Sequence, residues 1–239
     1  MNRDVEQELY LDGNGRLADQ GLRRYLRLVF IYVGLALLAS AAAAYAGEVT
    51  GFYNAIARTP FIWVVFMLQI GLVVVLSSAI DRIPIGLAEI LFWVYALLTG
   101  LTLGGILQIY TGESITITLL VAATTFVGAA AFGVGSRRNL GSFGGFLLMG
   151  LVGIIVAGLI NIFLGSSLLQ LLISVVGVIV FSGLTAYDMQ RLKQRYYDGF
   201  NQADDSAKPV ILGALSLYLD FINLFISLLQ LMGGGRRRS

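Results

Sequence analysis

Long apolar runs, separated by short polar islands, make up most of the chain after its first 25 residues. Each run is close to the roughly 20 residues that an α-helix needs to cross about 30 Å of hydrocarbon. The pattern therefore predicts an all-α integral membrane protein with about seven transmembrane helices. The predicted spans are residues 26–46, 61–80, 87–110, 114–134, 143–164, 168–187 and 209–232.

The predicted spans divide the chain into three parts. Residues 1–25 are polar with scattered charges, and they lack the compact apolar stretch and the cleavage site of a signal peptide. We interpret them as a cytosolic N-terminal tail. Residues 26–232 would form the seven-helix transmembrane domain, and residues 233–239 a basic C-terminal tail.

The distribution of Lys and Arg predicts the orientation in the membrane. With the N-terminus in the cytosol, 12 of the 16 basic residues fall on the cytosolic side, as the positive-inside rule favours. Seven spans then place the C-terminus outside, where Arg236, Arg237 and Arg238 oppose the rule locally. This conflict supports an alternative with six spans or a re-entrant last segment.

Composition argues against several classes of function. The chain is 57% hydrophobic and 13% charged, about half the charged fraction of a soluble domain. It has no Cys and no His, which excludes thiol chemistry, the usual zinc sites and the Ser–His pair of an intramembrane serine protease. We expect no enzymatic activity and no cofactor. The small net charge of +2 gives nucleic acid no support as a partner.

Small residues recur at three- and four-residue spacing within two of the predicted spans. They are Gly100, Gly104 and Gly105 in the third span, and Gly150, Gly153, Ala157 and Gly158 in the fifth. Small residues at this spacing let helix backbones approach closely in lipid. We therefore predict that they serve helix packing.

Asp220 lies in the middle of the last span, where a charged side chain costs at least about 2.5 to 3.5 kcal/mol. At about 100° per residue it shares one stripe of the helix with Ser216, Asn223 and Ser227. This polar seam predicts a proton or ion site, because ionisable groups within membranes usually serve such a function. The alternative is a buried aspartate that hydrogen-bonds neighbouring Tyr or Ser hydroxyls and fixes helix packing.

Asp188, at the cytosolic end of the sixth span, is the second candidate. Taken alone, it could be solvated or paired with Arg191, Lys193 and Arg195, which follow it. If it faces Asp220, the two carboxylates cannot easily ionise together and would share a proton. Such a pair would be a pH switch made without histidine.

Two further charged residues lie on the same side of the membrane as the candidate pair. Arg82 follows the second span and is either a positively charged flank or a gate latch that pairs with the ionised aspartates. Glu89, in the first turn of the third span, is either an interfacial carboxylate or part of the polar lining, with Ser216 and Asn223.

Oxygen ligands alone suit Ca²⁺ or another hard cation. Two aspartates cannot supply the roughly six to eight ligands that Ca²⁺ usually takes, so tight binding is not expected. We therefore predict a weak and transient calcium site at Asp188 and Asp220, with calcium as a permeant ion.

Four stretches make the chain similar to a known family. They are LLTGLTLGGILQIYT from residue 97, SFGGFLLMGLVGIIVAGLINIFL from residue 142, GVIVFSGLTAYDMQRLK from residue 177 and ILGALSLYLDFINLFISLLQLMG from residue 211. They resemble the bacterial branch of the Bax inhibitor family, also called the transmembrane Bax inhibitor motif family. The resemblance covers essentially the whole chain after about residue 21.

The resemblance implies a fold and a function. The fold is a seven-helix bundle whose C-terminal helix is central and surrounded by the other six, and the function is a pH-sensitive Ca²⁺ leak channel. Asp188 and Asp220, in the AYD and LYLD motifs, would form the pH sensor. Arg82 is the nearest match to a basic residue that contacts the pair in a related protein. Membrane lipids and calcium ions are the implied partners, and a bacterial inner membrane is the implied location.

The main alternative is a non-conducting membrane regulator that acts through partners. Such partners would be a membrane-embedded protease of quality control, or other membrane proteins in stress or cell-death modulation. An intramembrane aspartyl protease is disfavoured, because Tyr187 and Leu219 precede the two aspartates and its motif needs Gly before one of them.

Overall fold

In the computed structural model of the protein, most of the described residues lie in α-helices. The structure describes the backbone of residues 3–57, 59–136, 139–197 and 207–233 and, within these ranges, the side chains from residue 20 onward. The helices in these ranges are α1 (Arg3–Val49), α2 (Phe52–Ala57), α3 (Phe61–Ser78), α4 (Ile85–Ile109), α5 (Gly112–Gly135), α6 (Gly141–Leu164), α7 (Ser167–Tyr197) and α8 (Lys208–Met232).

Seven of these described helices, all except α2, are long and apolar enough to cross a membrane. This result confirms the predicted seven spans. The last segment is one continuous helix of 25 residues, so it does not turn back within the membrane as the six-span or re-entrant alternative requires. The described part of the chain is therefore an all-α transmembrane bundle.

Two helices extend beyond the predicted spans. α7 continues to Tyr197, ten residues past the predicted end at residue 187. α1 begins at Arg3 and continues without a break through the first predicted span, so the predicted N-terminal tail continues the first transmembrane helix backwards. Several predicted features lie outside the described residues: the first two residues, Arg58, Arg137, Arg138 and the C-terminal tail from residue 234.

Short connections make successive transmembrane helices antiparallel. α6 and α7 are joined by two residues, and Gly165 takes a left-handed φ of 60° that allows the chain to reverse there. α4 and α5 are also joined by two residues, and the Thr111 hydroxyl accepts a hydrogen bond from the Ser114 N–H (3.2 Å), which caps α5. Arg82, Arg191 and Lys208 thus share one end of the bundle, which we call the basic end.

α8 is the most buried of the transmembrane helices in the described structure. In its most apolar window 72% of the residues are buried, whereas the corresponding value for α6 is 0%. α8 packs closely against α7, α1, α5, α4 and α3. α6 packs against α7, and a cavity separates it from α8.

Glycines in α4 allow close helix contacts. A Cβ on Gly100 would overlap the backbone of Ser40 in α1, so α1 and α4 approach each other at this point. A Cβ on Gly104 or Gly105 would press against the ring of Tyr53, which α2 inserts beside α4. The predicted packing role is confirmed for these three glycines.

The glycines of α6 divide into two groups. A Cβ on Gly150 would lie 2.9 Å from a methyl group of Val180 in α7, so Gly150 serves packing as predicted. A Cβ on Gly153 or Gly158 would meet nothing within 4 Å, and Gly158 lines the cavity. The packing prediction is therefore wrong for these two residues, because Gly153 is exposed and Gly158 faces the cavity between α6 and α8.

Candidate functional site

A cavity of about 740 Å³ lies between α6, α7 and α8. Along α7 its lining extends from Arg191, near the basic end, to Gln170, which corresponds to about 31 Å at 1.5 Å per residue. The hydrocarbon core of a typical bilayer is about 30 Å thick. The lining of the cavity is therefore about as long as the hydrocarbon core is thick.

The walls of the cavity differ in polarity. α6 contributes apolar side chains, namely Leu148, Leu151, Ile154, Ile155, Leu159 and Ile162. α8 contributes the four residues of the polar seam, Ser216, Asp220, Asn223 and Ser227, and also Gln230. The stripe inferred from helical periodicity therefore faces one shared cavity and not lipid.

Asp220 is a buried carboxylate with an unpaired oxygen. The residue is only 5% exposed, and its Oδ2 atom is buried without a hydrogen-bond partner among the described residues. The neighbouring hydroxyl of Tyr218 pairs with Ser40, so it does not satisfy this oxygen. A buried acceptor without a partner costs about 1 to 3 kcal/mol, which makes Oδ2 a ready acceptor for a proton, a water molecule or a cation.

Asp188 lines the same cavity as Asp220. The two carboxyl groups lie close enough to interact electrostatically. Arg191 and Arg195, one and two turns further along α7, also interact with Asp188 and favour its negative charge. The structure thus brings the predicted pair together and places cationic groups between it and the basic end.

Contacts on either side of Asp188 hold this part of α7 in place. A Cβ on Gly133 of α5 would overlap the carbonyl oxygen of Ala186, so the two backbones touch two residues before Asp188. Gln190 accepts a hydrogen bond from the N–H of Leu140, at the start of α6 (2.7 Å). Lys193 donates to a carbonyl oxygen in the last turn of α5, where a cation is favourable (3.0 Å).

A hydroxyl pair anchors the opposite face of α8. Tyr218 Oη lies 2.6 Å from Ser40 Oγ, and Ser40 Oγ lies 2.8 Å from the carbonyl oxygen of Ala96 in α4. Because Ser40 has one hydroxyl hydrogen and a carbonyl can only accept, Tyr218 is the donor of the first bond when Ser40 donates to Ala96. α8 is therefore tied to α1 and α4, and Asp220, two residues further on, faces the cavity.

The structure does not bring Arg82 and Glu89 to the aspartate pair. Arg82 is exposed on the turn between α3 and α4, and among the described residues its side chain makes no hydrogen bond or ion pair with Asp188 or Asp220. Glu89 is half-buried, accepts a hydrogen bond from the Tyr32 hydroxyl (3.1 Å) and does not line the cavity. The latch role of Arg82 stays a prediction.

A second cavity, of about 430 Å³, lies on the α3 and α4 side of α8. It shares Leu219, Asn223 and Ile226 with the first cavity. It also contains Gln69, whose amide lies 3.3 Å from the Thr99 hydroxyl. Sequence reasoning missed this site, although a single amide within an apolar 18-residue helix was an available signal.

No group of three or more Asp or Glu residues lies close enough together in the described part of the chain to hold a metal ion. The first cavity contains two carboxylates, one hydroxyl-rich seam and several amides. This donor set can hold a hydrated hard cation transiently or bind a proton.

Comparison with known proteins places these residues in a family. The family described as inhibitor of apoptosis-promoting Bax1 matches residues 22–237. The chain belongs to the Bax inhibitor family. The match covers every transmembrane helix apart from the start of α1, and it includes both aspartates of the cavity.

Bacterial relatives match nearly the whole chain. An uncharacterised protein of Rickettsia prowazekii is 38% identical over 98% of this chain and 99% of its own length. A Caulobacter vibrioides protein is 38% identical over 99% of this chain and 98% of its own length. The inner membrane protein YbhL of Escherichia coli is 39% identical over 90% of this chain and 94% of its own length. The protein is thus an integral membrane protein of this family.

Proposed function

We propose that the protein is a pH-sensitive calcium leak channel, and that the cavity between α6, α7 and α8 is its ion pathway. Protonation of the Asp188 and Asp220 pair would gate this pathway near the cytosolic side. The buried, unpaired Oδ2 of Asp220 carries the proposal, because it lies in a cavity that a second carboxylate shares. Such an oxygen has no stabilising role that the described contacts account for.

The charge of the pair sets the affinity of the pathway for cations. With a shared proton the pair has one negative charge, and without it the pair has two. Two charges in a medium of low dielectric repel each other and attract a divalent cation strongly. The protonation state of the pair therefore controls whether Ca²⁺ is favoured beside Asp220, and Arg191 and Arg195 compete with Ca²⁺ for the charge of Asp188.

Of the helices that pack against α8, α3 is the least buried and therefore the best placed to move when the charge of the pair changes. It packs mainly against α4, and only 17% of its most apolar window is buried. It also borders the second cavity, which reaches α8 at Asn223. We infer that α3 and α8 close the cytosolic half of the pathway together, and that Arg82, which follows α3, acts as a latch on the ionised pair.

The orientation and location also belong to this proposal. The Lys and Arg distribution favours a cytosolic N-terminus and a C-terminus outside. A bacterial inner membrane is supported by the name of the Escherichia coli relative, inner membrane protein YbhL. The pair would then lie toward the cytosolic half of the pathway.

Calcium flux into liposomes that contain only the purified protein tests the proposal. Flux is measured between about pH 5 and about pH 8, where most proteins are stable. We expect a pH-dependent flux in the wild type and a flat pH profile in Asp188→Asn and Asp220→Asn. Asp81→Asn is the matched control, because Asp81 is an exposed carboxylate at the basic end that does not line the cavity.

Absence of flux at every pH would refute the channel and leave the partner-dependent membrane regulator as the leading account. Flux that keeps its full pH dependence in both cavity variants would refute the sensor while leaving the channel intact. A loss of pH dependence in Asp81→Asn would show that the response is a general effect of surface charge.

A further inference from the structure

Three amide side chains join α6, α7 and α8 at the end of the cavity remote from Asp188. Gln170 Nε2 donates to Gln230 Oε1 at 2.7 Å, and Asn161 Nδ2 donates to Gln170 Oε1 at 3.0 Å. Ser174 Oγ lies 3.1 Å from the same Gln230 oxygen. We call these four residues the amide cluster. It connects the three helices that surround the cavity.

The amide cluster lies in line with the polar seam of α8. Gln170 and Gln230 both line the cavity, and Gln230 lies about 15 Å beyond Asp220 at 1.5 Å per residue. Isoleucines line the cavity next to the cluster, one on each helix: Ile162, Ile173 and Ile226. Ile162 is 61% exposed and the Gln170 to Gln230 bond is exposed, so the cluster lies where the cavity meets the exterior.

The chemistry of the cluster suits a barrier that does not respond to pH. Amides carry no titratable proton near neutrality, so the Gln170 to Gln230 bond is unaffected by the protonation of the aspartate pair. When the bond breaks, Gln230 Oε1 loses the Gln170 donor and keeps only the Ser174 hydroxyl, so this oxygen gains a lone pair that can face the cavity. Amide and carbonyl oxygens are ligands that Ca²⁺ accepts while it loses part of its hydration shell.

We infer that the amide cluster is a second barrier of the pathway, opposite the aspartate pair, and that breaking the Gln170 to Gln230 bond opens the cavity to water and ions from that side. The inference rests on the proposed function for the identity of the ion. The water barrier itself can be tested without ion flux.

Thiol labelling tests the barrier directly, because the chain has no cysteine of its own. Asn223→Cys places a single reporter in the cavity, between Asp220 and the cluster. Among the described residues, the Asn223 amide bonds the carbonyl oxygen of Leu219 in its own helix, so the reporter breaks no hydrogen bond between the described helices. A charged, membrane-impermeant thiol reagent is then added from the face of the membrane nearest Gln230.

Three substitutions at the remote end are compared in this background. Gln230→Met keeps the length of the side chain and removes the acceptor. Gln230→Glu keeps an acceptor oxygen for Gln170. Gln108→Met removes an amide bonded to Glu48 (2.8 Å) and Asn54 (3.0 Å) at the same end of the bundle, outside the cavity.

We expect Gln230→Met to speed labelling about two- to tenfold, the ratio that corresponds to one lost hydrogen bond. Gln230→Glu and Gln108→Met should label at the parent rate. Labelling after unfolding in detergent measures the total thiol, so the rates are normalised to intact reporter. In liposomes, Gln230→Met should raise calcium flux at every pH without moving the midpoint of the pH profile.

Equal labelling of Gln230→Met and its parent would overturn the inference, as would equal acceleration by Gln108→Met. Rapid labelling of the parent would overturn it as well, since the cluster would then be no barrier. If the wild type shows no calcium flux but Gln230 controls labelling, the proposed ion function fails and the water barrier stands. If flux is pH-dependent but insensitive to Gln230→Met, the barrier fails and the channel stands.

Discussion

Replacement of Asp220 by leucine should make the protein more stable. Asp220 is 5% exposed, and its Oδ2 atom has no hydrogen-bond partner among the described residues. A buried acceptor without a partner costs about 1 to 3 kcal/mol, and leucine has a similar shape without that acceptor. We therefore expect the free energy of unfolding of Asp220→Leu to exceed that of the wild type by about 1 to 3 kcal/mol. Asp220→Asn should gain less, because its new N–H groups also lack partners.

Thermal unfolding of the purified protein in one detergent, at one pH, measures this effect. For a chain of 150 to 250 residues, 1 kcal/mol corresponds to about 2 to 4 °C in the midpoint. The midpoint of Asp220→Leu should therefore rise by about 2 to 12 °C. Asp81→Leu serves as the control, because Asp81 is exposed on a turn, and its midpoint should stay within about 1 °C.

A lower midpoint for Asp220→Leu would refute this reasoning. It would show that the carboxylate makes stabilising bonds, as the structural interpretation of a buried aspartate requires. A higher midpoint together with a flat pH profile of flux would show that the protein retains a destabilising group because the group is functional.

Two further predictions concern the contacts that position the aspartates. Gly133→Ala should lower the free energy of unfolding by about 1 to 3 kcal/mol, because the added methyl group forces α5 away from the α7 backbone. It should also shift the pH profile of flux, because the contact at Ala186 positions Asp188. Gly128→Ala is its control in the same helix, where a Cβ meets nothing within 4 Å and stability should not fall. Tyr218→Phe should lower the free energy of unfolding by about 0.5 to 1.5 kcal/mol, because the hydrogen bond to Ser40 is lost. Thermal unfolding measures this effect, with Tyr45→Phe as the control because Tyr45 is exposed. Equal midpoints for the two variants would contradict the prediction.

The spans followed from the sequence because the bilayer imposes one length and one polarity on every helix that crosses it. Each of the seven predicted spans lies inside a helix of the structure or ends within two residues of one. α7 runs furthest past the end of its predicted span. Its last ten residues continue as helix beyond the apolar run, where Gln190 binds the start of α6 and Lys193 binds the last turn of α5.

The polar seam of α8 also followed from the sequence, since residues 216, 220, 223 and 227 share one stripe at about 100° per residue. The sequence could not show which helices face that stripe. Helix order along the chain does not determine neighbours in space, and the amides of α6 and α7 carry no local pattern that points to Gln230. The amide cluster is therefore visible only in the folded chain.

The sequence by itself determined that the chain spans the membrane several times, that its basic residues favour one side, and that it carries two carboxylates where charge is costly. Only the tertiary structure decided that Asp188 and Asp220 share a cavity, that Arg82 is exposed on a turn and does not line that cavity, and that the cavity separates α6 from α8. The reason is physical. The length of an apolar segment and the cost of a charge within it are properties of each segment separately. The partner of a buried polar group depends instead on how seven similar helices pack. Small steric contacts, such as that of Gly133 with Ala186, decide this packing.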